Sequence, residues 1–342
     1  MPKGDSRRVS FYIKTKEQME DTYDRKGEEM RVAVCITTFR RLEGLRRLLV
    51  NLEGLTFEKN EVPALSIVVI DNECARETKQ LVEQLASSYK WELSYVEEPL
   101  PGVSNARNRA LYTVKDTTDF MAFVDDDEVV EPEWLDELLH VQKNFEADVV
   151  AGPVLSRFEG EVPEWVIKGK FFDRQRYETG HVLKYVASGN VLISSAVLRQ
   201  ACLMFDERLT LTGGEDTHFF MRLHQMGYKM VWADRAVAYE YVPNNRTTMD
   251  WIVKRAYRTG NTITFCEIDL LSSPFVKIRR LLMGCGKMLE GILQWLPGLL
   301  IGKHSYCHAL RKIYRGMGML AALKGSLYKE YQHQGRKVEQ QG

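Results

Sequence analysis

Short apolar runs alternate with longer amphipathic stretches between residues 31 and 151, and this alternation limits the fold more than any other feature. Strands that alternate with helices predict a mostly parallel sheet with helices on both faces. Short apolar runs are typical of strands that are buried on both sides. The sequence therefore predicts an α/β fold. We expect strands at residues 32–36, 65–70, 92–96, 120–124 and 148–150, and helices at about 41–53, 75–89, 103–114 and 133–146.

The rest of the chain is less regular. We expect a strand or hairpin at residues 185–194, and an amphipathic helix at about 215–226 that ends at Gly227. We divide the chain into four parts: an N-terminal extension (1–30), a half in which strands and helices alternate (31–151), a less regular half (152–260) and a basic, helical C-terminal region (261–342).

The 342-residue chain has no net charge, but its charges are unevenly placed. Residues 274–342 hold twelve Lys and Arg against three Asp and Glu, so they carry +9 and residues 1–273 carry −9. A basic segment with apolar runs indicates a phosphate-rich partner, either membrane headgroups or nucleic acid. The six cysteines lack CxxC spacing, and the first eight residues lack the apolar stretch of a secretory signal. We therefore expect a cytoplasmic protein.

The longest charge-free stretch of the basic segment is residues 291–302. Twelve residues are too few to span a bilayer, which needs about 20. The stretch is flanked by basic side chains: Lys287, Lys303, Arg311, Lys312 and Arg315. This pattern favours an interfacial element on the cytoplasmic face of the inner membrane, and no nucleic-acid partner. A buried helix pair with a basic outer face is the alternative.

Two groups of carboxylates are candidates for metal binding and for general-base catalysis. Asp125 and Asp127 follow the apolar run at 120–124, and residues i and i+2 of an extended chain point the same way. They can therefore converge on a hard cation, Mg²⁺ or Mn²⁺. Asp216, with Glu215 before it, lies at a predicted helix start and can act as a general base. The alternatives are a solvated acidic loop and acids that favour the helix dipole.

Other polar groups follow the ends of the predicted strands, where ligands bind in open parallel sheets. Thr37 and Arg40 follow the first strand, and Asp71 follows the second. Arg107 lies in the first turns of the helix after the third strand, a position that favours a diphosphate. Asp71 suits an imide N–H, as on uracil, although it can equally be a turn residue.

A basic and aromatic cluster follows the second half of the chain. Arg246, Arg255 and Arg258 lie near Trp251 in the sequence. These residues can contact phosphates, or they can form an ordinary solvated helix face.

Five of these motifs together resemble glycosyltransferase family 2, in the same order and spacing. They are residues 36–41, 69–72, 102–108, 123–127 and 214–216. The resemblance covers about residues 31–260, and bacterial exopolysaccharide enzymes of the succinoglycan type are the most similar branch. It implies an inverting hexosyltransferase with a GT-A fold, in which residues 31–151 are the nucleotide-binding half and residues 152–260 the acceptor half. It also implies a nucleotide-diphospho-sugar donor, which we expect to be a UDP-sugar, and a divalent metal.

The resemblance also implies roles for individual residues. Asp71 would contact the nucleobase, and Asp216 would be the catalytic base of the Glu215–Asp216 pair. Asp125, Asp126 and Asp127 would bind the donor diphosphate, with Asp125 and Asp127 as the metal ligands. The acceptor side would include Gly189, Asn190, Arg255 and Arg258.

Two departures from the family pattern matter. Asn72-Glu73 replaces a frequent Asp-Gly, and the Gln-x-x-Arg-Trp motif of processive enzymes is absent, which favours single additions. We expect a lipid-linked or oligosaccharide acceptor. The alternatives are transfer to polyprenyl phosphate, nucleotidyl transfer to a sugar phosphate, and carbohydrate binding without catalysis.

Overall fold

A computed structural model of the protein describes residues 29–329 and contains two sheets. The expected N-terminal extension and the last residues of the basic segment lie almost wholly outside the described part. The strands are β1 Arg31–Thr38, β2 Ala64–Asp71, β3 Glu92–Glu97, β4 Phe120–Val124, β5 Glu128–Val130, β6 Val149–Ala151, β7 Val154–Phe158, β8 Asn190–Ser194, β9 Met230–Trp232 and β10 Ala238–Val242.

Helices cover both faces of the large sheet and form the C-terminal region. They are α1 Leu42–Leu52, α2 Arg76–Ala86, α3 Val103–Val114, α4 Trp134–Phe145, α5 Glu164–Lys168, α6 Ser195–Ala201, α7 Glu215–Gln225, α8 Met249–Leu271, α9 Pro274–Ile301 and α10 Lys303–Leu323. The five predicted strands and the helices between them are confirmed, with boundaries that differ by a few residues.

The large sheet has the strand order β3-β2-β1-β4-β8-β6-β9. The first four strands in this order run parallel, as the alternating pattern predicts. β8 lies antiparallel between β4 and β6, and this strand comes from the segment where the sequence predicted a strand or hairpin. Residue 190 of β8 pairs with Val124, the last residue of β4. The acidic run, residues 125–127, begins immediately after this pair.

The strand β1 shows why the sheet is buried on both faces. Val34 and Ile36 pack with α1 in one apolar cluster, whereas Ala33 and Cys35 pack with α3 in the other. All four side chains are fully buried. Burial of a Val or Ile side chain stabilises the fold by about 1.5–3 kcal/mol, so this strand anchors both layers.

The small sheet has the order β5-β10-β7 and begins immediately after the acidic run. Glu128 pairs with Glu240 across the two strands, and the Tyr241 N–H donates to the Asp127 carbonyl oxygen at 2.8 Å. On the other side, Gly44 of α1 packs so close that a Cβ there would collide with the Asp126 carbonyl oxygen. The acidic turn is thus held between a strand and a helix.

The C-terminal helix α10 packs on α8 and α9, and also on the short helix α5. α8 continues through residue 260, so the predicted boundary between 260 and 261 falls inside a helix. Glycines allow the close packing, because a Cβ at Gly260 would collide with the backbone of Arg315. The buried Asn261 amide donates to the Gly318 and Ser326 carbonyl oxygens at 3.2 and 2.7 Å.

One face of α9 is apolar and exposed. Leu296 and Leu300 are 61% and 86% exposed, and Trp295 is 42% exposed. Within residues 29–329 no helix combines the length and the apolar character that a membrane crossing requires.

Candidate active site

Ends of β1, β2 and β4 meet at one edge of the large sheet, as the strand-end rule predicts. Thr38 pairs in register with Asp71, and its hydroxyl donates to Asp126 Oδ2 at 2.8 Å. Thr37 lies one residue earlier in β1 and is half-buried. The predicted donor-binding residues of these three strands therefore share one edge.

Asp71 is 1% exposed, and it organises the loop before α2. Its carboxylate accepts from the backbone N–H groups of Glu73 and Ala75 at 2.9 and 2.8 Å, and from the Tyr95 hydroxyl at 2.9 Å. Two carboxylate oxygens offer about four lone-pair sites, so capacity for another donor remains. Contact with a nucleobase stays a prediction.

The Asn72-Glu73 departure has a structural explanation. The Asn72 amide donates to the Glu98 and Leu100 carbonyl oxygens at 2.8 and 2.7 Å, and its oxygen accepts from the Gly102 N–H at 2.7 Å. Asn72 therefore fixes the loop that leads into α3. Glu73 accepts from Arg40 Nε at 2.7 Å, so the exposed Arg40 has a local partner at this edge.

Arg107 joins the two acidic motifs. Its guanidinium contacts Asp125 Oδ1 at 3.3 Å and also forms an ion pair with Glu215, more than a hundred residues along the chain. The Arg107 and Glu215 side chains are only 8% and 4% exposed. Buried ion pairs of this kind fix geometry, because either partner alone would leave an uncompensated charge.

The three aspartates of the acidic run point to different partners. The Glu128 N–H donates to the Asp125 carbonyl oxygen at 3.0 Å, so the chain turns here and the extended geometry assumed for Asp125 and Asp127 is wrong. Asp126 is buried against Thr38 and Arg41.

Asp127 lies in an ion-pair network of its own. Its carboxylate is 2.8 Å from Arg41 and 3.6 Å from Arg246.

Burial dominates the electrostatics of this turn. It raises the pKa of Asp127 to about 6, and it raises the pKa of Glu128 well above its ordinary value, with further contributions from Asp125 and Asp127. Burial lowers the pKa of Arg41, but the carboxylates of Asp126 and Asp127 more than reverse this effect. An excess of carboxylate oxygens, with Asp125 half-buried, fits a hard divalent cation.

A second acidic group lies beside α7. Among residues 29–329, one group of three His, Cys, Asp or Glu side chains has its possible metal-ligand atoms within 4.8 Å of one another. It consists of Asp206, His218 and Asp269. Arg208 forms ion pairs with both aspartates at 2.6 and 2.8 Å, and His218 Nε2 is 3.0 Å from Asp269. One guanidinium thus pairs with both carboxylates, and the group ties α7 to α8.

The start of α7 separates the roles of its two acids. Gly214 precedes the helix with a φ of +88°, a conformation that favours glycine. Glu215 is buried against Arg107, and its second oxygen has no hydrogen-bond partner among the described residues. Asp216 is half-buried and accepts from the Thr217 N–H at 2.6 Å, and it forms no ion pair with any described residue. Asp216 is therefore the acid available to a substrate.

The Gly189–Asn190 segment borders the acidic turn through its backbone. A Cβ at Gly189 would lie 2.7 Å from Glu128 Oε1 and 3.0 Å from Asp125 Oδ2. The Asn190 amide is used internally, because it accepts from Trp134 Nε1 at 2.8 Å and donates to the Pro153 and Ala236 carbonyl oxygens at 2.9 and 2.7 Å. Its side chain thus holds β8 in place, and acceptor contact stays a prediction.

A pocket of about 400 Å³ adjoins β8. Its walls come from the segment before β8 and from residues of β6, β7, β8 and β9, and they include Arg174, Tyr177 and Asn190.

The predicted acceptor-side arginines lie on α8. Arg255 packs over the Trp251 ring at 5.0 Å from its centroid, and Arg258 is half-buried one turn later. Arg255 forms no ion pair with Asp125 or Asp216, and acceptor contact by both arginines stays a prediction.

Sequence reasoning did not assign roles to several residues of the site. Arg41 ends the Thr-Thr-Phe-Arg-Arg run and Arg246 belongs to the basic cluster, so both lie in sequence patterns that could have indicated them. No sequence pattern indicates Glu128 or Glu240, because they pair across two strands that are about 110 residues apart in the chain. Glu240 in turn forms ion pairs with Arg174 and Arg246.

Comparisons with known proteins identify the family. The model of glycosyl transferase family 2 matches residues 33–202, and that of glycosyl transferase family group 2 matches residues 120–323. The succinoglycan biosynthesis protein ExoM of Rhizobium meliloti (strain 1021) is 31% identical over 236 residues, which are 69% of this chain and 75% of that protein. The chain belongs to glycosyltransferase family 2.

Solved structures support the fold of this family 2 glycosyltransferase. The mannosyltransferase PcManGT from Pyrobaculum calidifontis, in complex with GDP-Man and Mn²⁺, gives a TM-score of 0.52 at 16% identity and covers 92% of this chain and 80% of its own. Residues 1–349 of S. aureus TarS, in complex with UDP, give 0.50 at 18% identity, with 88% and 93% covered. The predicted GT-A fold is confirmed, and the protein is an enzyme.

Proposed function

We propose that this family 2 glycosyltransferase transfers a sugar from a UDP-sugar to a lipid-linked or growing surface-polysaccharide acceptor, with inversion at the anomeric carbon. The observation that carries the proposal is the position of Asp216. The support is that Asp216, which forms no ion pair with any described residue, directly follows Glu215, and that Arg107 links Glu215 to Asp125 of the acidic turn. The similarity to a succinoglycan biosynthesis protein favours a polysaccharide product.

In this mechanism Asp216 removes the proton of the acceptor hydroxyl while the oxygen attacks the anomeric carbon. The bond to the donor diphosphate breaks on the opposite face, and the nucleoside diphosphate departs. General-base assistance of this kind contributes about 10²- to 10⁴-fold to the rate. Glu215 does not share the role, because its ion pair with Arg107 holds it in the interior.

Asp125 and Asp127 would hold a Mg²⁺ or Mn²⁺ ion, which neutralises charge on the leaving diphosphate when bound. Arg41 and Arg246 contact Asp127 and lie where they can assist the same charge. Asp71, Thr37 and Arg40 complete the proposed donor side of the edge.

We place the enzyme on the cytoplasmic face of the inner membrane. The support is the exposed apolar face of α9 together with the basic residues of the C-terminal region.

The test is a screen of nucleotide-sugars for released product and for binding. We expect UDP release in the presence of Mn²⁺, and UDP binding that depends on Mn²⁺ and is lost in a folded Asp127→Ala variant. Release of pyrophosphate would instead indicate nucleotidyl transfer. Glycan binding without any turnover of donor would indicate a carbohydrate-binding protein.

A further inference from the structure

A pocket of about 300 Å³ lies at the junction of α8, α9 and α10. Five cationic side chains line it, and no acidic residue does: they are Arg255, Lys287, Arg311, Lys312 and Arg315. His308 and the aromatic rings of Phe171 and Trp251 complete its walls. We call this the basic pocket.

Most of the positive charge in the basic pocket is unpaired. Lys287 and Lys312 share Glu290, at 2.9 and 2.5 Å. Arg255, Arg311 and Arg315 form no ion pair with any residue between 29 and 329.

Two of the unpaired cations, Arg255 and Arg311, are partly shielded from water, and this shielding is unfavourable. Burial lowers the pKa of Arg255 to about 10 and lowers the pKa of Arg311 from its ordinary value. Partly buried cations without counter-charges cost free energy, and an anion in the pocket would recover it.

The cations are held in place before any ligand arrives. Arg255 packs over Trp251, and the Arg311 guanidinium lies 5.2 Å from the Phe171 ring centroid. Close packing at Gly260 fixes the backbone of Arg315 against α8. Preformed guanidinium groups suit phosphate groups, because their planar donors match phosphate oxygens.

The position of the pocket indicates the source of the anion. The Trp251 ring also contacts Arg246, which is 3.6 Å from Asp127, so one aromatic ring separates the pocket from the proposed donor site. On the other side, Lys287 belongs to α9, the helix with the exposed apolar face. A phosphate group attached to an apolar chain would satisfy both surroundings.

We propose that the basic pocket binds the diphosphate group of a lipid-linked acceptor, with the lipid chain along the apolar face of α9. This inference rests on the proposed function only for the acceptor class. The pocket is separate from the donor diphosphate site.

The first experiment measures binding of inorganic pyrophosphate in EDTA, so that a metal-dependent donor site does not contribute. Arg311→Gln/Arg315→Gln should weaken pyrophosphate binding about tenfold or more, because two charge-assisted contacts are lost. Lys254→Gln removes an exposed cation beside Arg255 on α8 and is the matched control, with unchanged affinity. Equal affinity in wild type and the double variant would overturn the proposal.

A folding defect is distinguished in two ways. UDP binding with Mn²⁺ should persist in the double variant. The exposed single variant Arg315→Gln should show a smaller loss of pyrophosphate affinity, about threefold.

The second experiment separates a lipid from a free phosphate. We expect vesicles with a polyprenyl diphosphate lipid to bind wild type more tightly than phosphatidylserine vesicles of the same charge, and this preference to vanish in Arg311→Gln/Arg315→Gln. Pyrophosphate binding without any lipid preference would overturn the lipid assignment.

The donor reaction of the wild-type enzyme is scored separately. Absence of UDP release with normal pyrophosphate binding would reject the proposed function and leave the pocket intact.

Discussion

The proposed donor and catalytic residues at the strand ends, which we call the strand-end site, differ from the basic pocket in how their charged side chains are paired. At the strand ends, four acids are tied to arginines: Arg107 pairs with Asp125 and Glu215, and Arg41 pairs with Asp126 and Asp127. In the basic pocket, three arginines lack any acidic partner among the described residues. The first site can therefore be rigid without ligand, whereas the second stores repulsion that an anion relieves.

The two regions are also built by different means. Hydrogen-bonded strands and a tight turn place the residues of the strand-end site. The basic pocket depends on helices that approach closely at Gly260 and Gly318. Removal of the C-terminal helices would expose α8 and strip the hydrogen bonds of Asn261, so point variants test this region better than truncation.

The largest expected effect concerns Asp216, which lies at the start of α7 and forms no ion pair with any described residue. Asp216→Asn keeps the shape and removes the proton acceptor, so kcat should fall by about 10²- to 10⁴-fold. Donor affinity should stay within a few-fold, because the interaction is used mainly in the transition state. Steady-state kinetics and UDP titration check this. An active Asp216→Asn beside an inactive Glu215→Gln would reverse the assignment within the pair.

The second prediction breaks the pairing at the strand ends. Arg107→Met leaves Glu215 buried without a counter-charge, and it should lower the free energy of unfolding by about 3–5 kcal/mol. Urea denaturation measures the change. Arg109→Met, an exposed position on the same helix, is the matched control and should have little effect. Similar losses of unfolding free energy in both variants would show that the Arg107–Glu215 ion pair contributes no more to stability than the exposed Arg109 does.

The third prediction concerns the apolar side of the C-terminal region. Leu296→Gln/Leu300→Gln should reduce sedimentation with anionic liposomes about tenfold, since both exposed side chains would enter the interface. Added salt should release part of the wild type, because salt screens the cationic contribution. Leu211→Gln, an exposed leucine elsewhere, serves as control. Binding that responds to salt alone would assign the interaction to the cations.

The smallest expected effect concerns Arg208, which pairs with Asp206 and Asp269 beside α7. Hydrogen bonds from Arg208 hold the pKa values of Asp206 and Asp269 below their ordinary range. A lowered carboxyl pKa contributes stability above the unfolded-state pKa, and the contribution is lost as pH falls through the folded-state pKa.

Arg208→Met should therefore cost up to about 1 kcal/mol at pH 7, since Arg208 is largely exposed and screened. The cost should shrink towards pH 3. Unfolding curves at both pH values measure it, and a cost independent of pH would exclude this linkage.

The sequence predicted the large sheet and the shared edge because both follow from local patterns. Apolar runs mark strands, and the strand-end rule then places Asp71, Arg107 and Asp125 together. The direction of the Asp127 side chain did not follow, because a run of aspartates carries no hydrophobic period to reveal the turn.

The remaining features depend on packing between distant segments. The Glu128–Glu240 pairing and the insertion of β8 join strands with no shared sequence signal. The basic pocket combines residues of three helices, and the sequence showed only that these helices are basic.

The packing of Gly44 against the acidic turn has a consequence for mutational scans. A side chain at this position would displace the Asp126 carbonyl group and shift the whole turn. In a library scored by activity, Gly44 would therefore be as intolerant as the aspartates, although it has no functional group. A ranking of positions by their intolerance to substitution would therefore group Gly44 of α1 with the catalytic residues. Only its packing against the Asp126 carbonyl group would explain that rank.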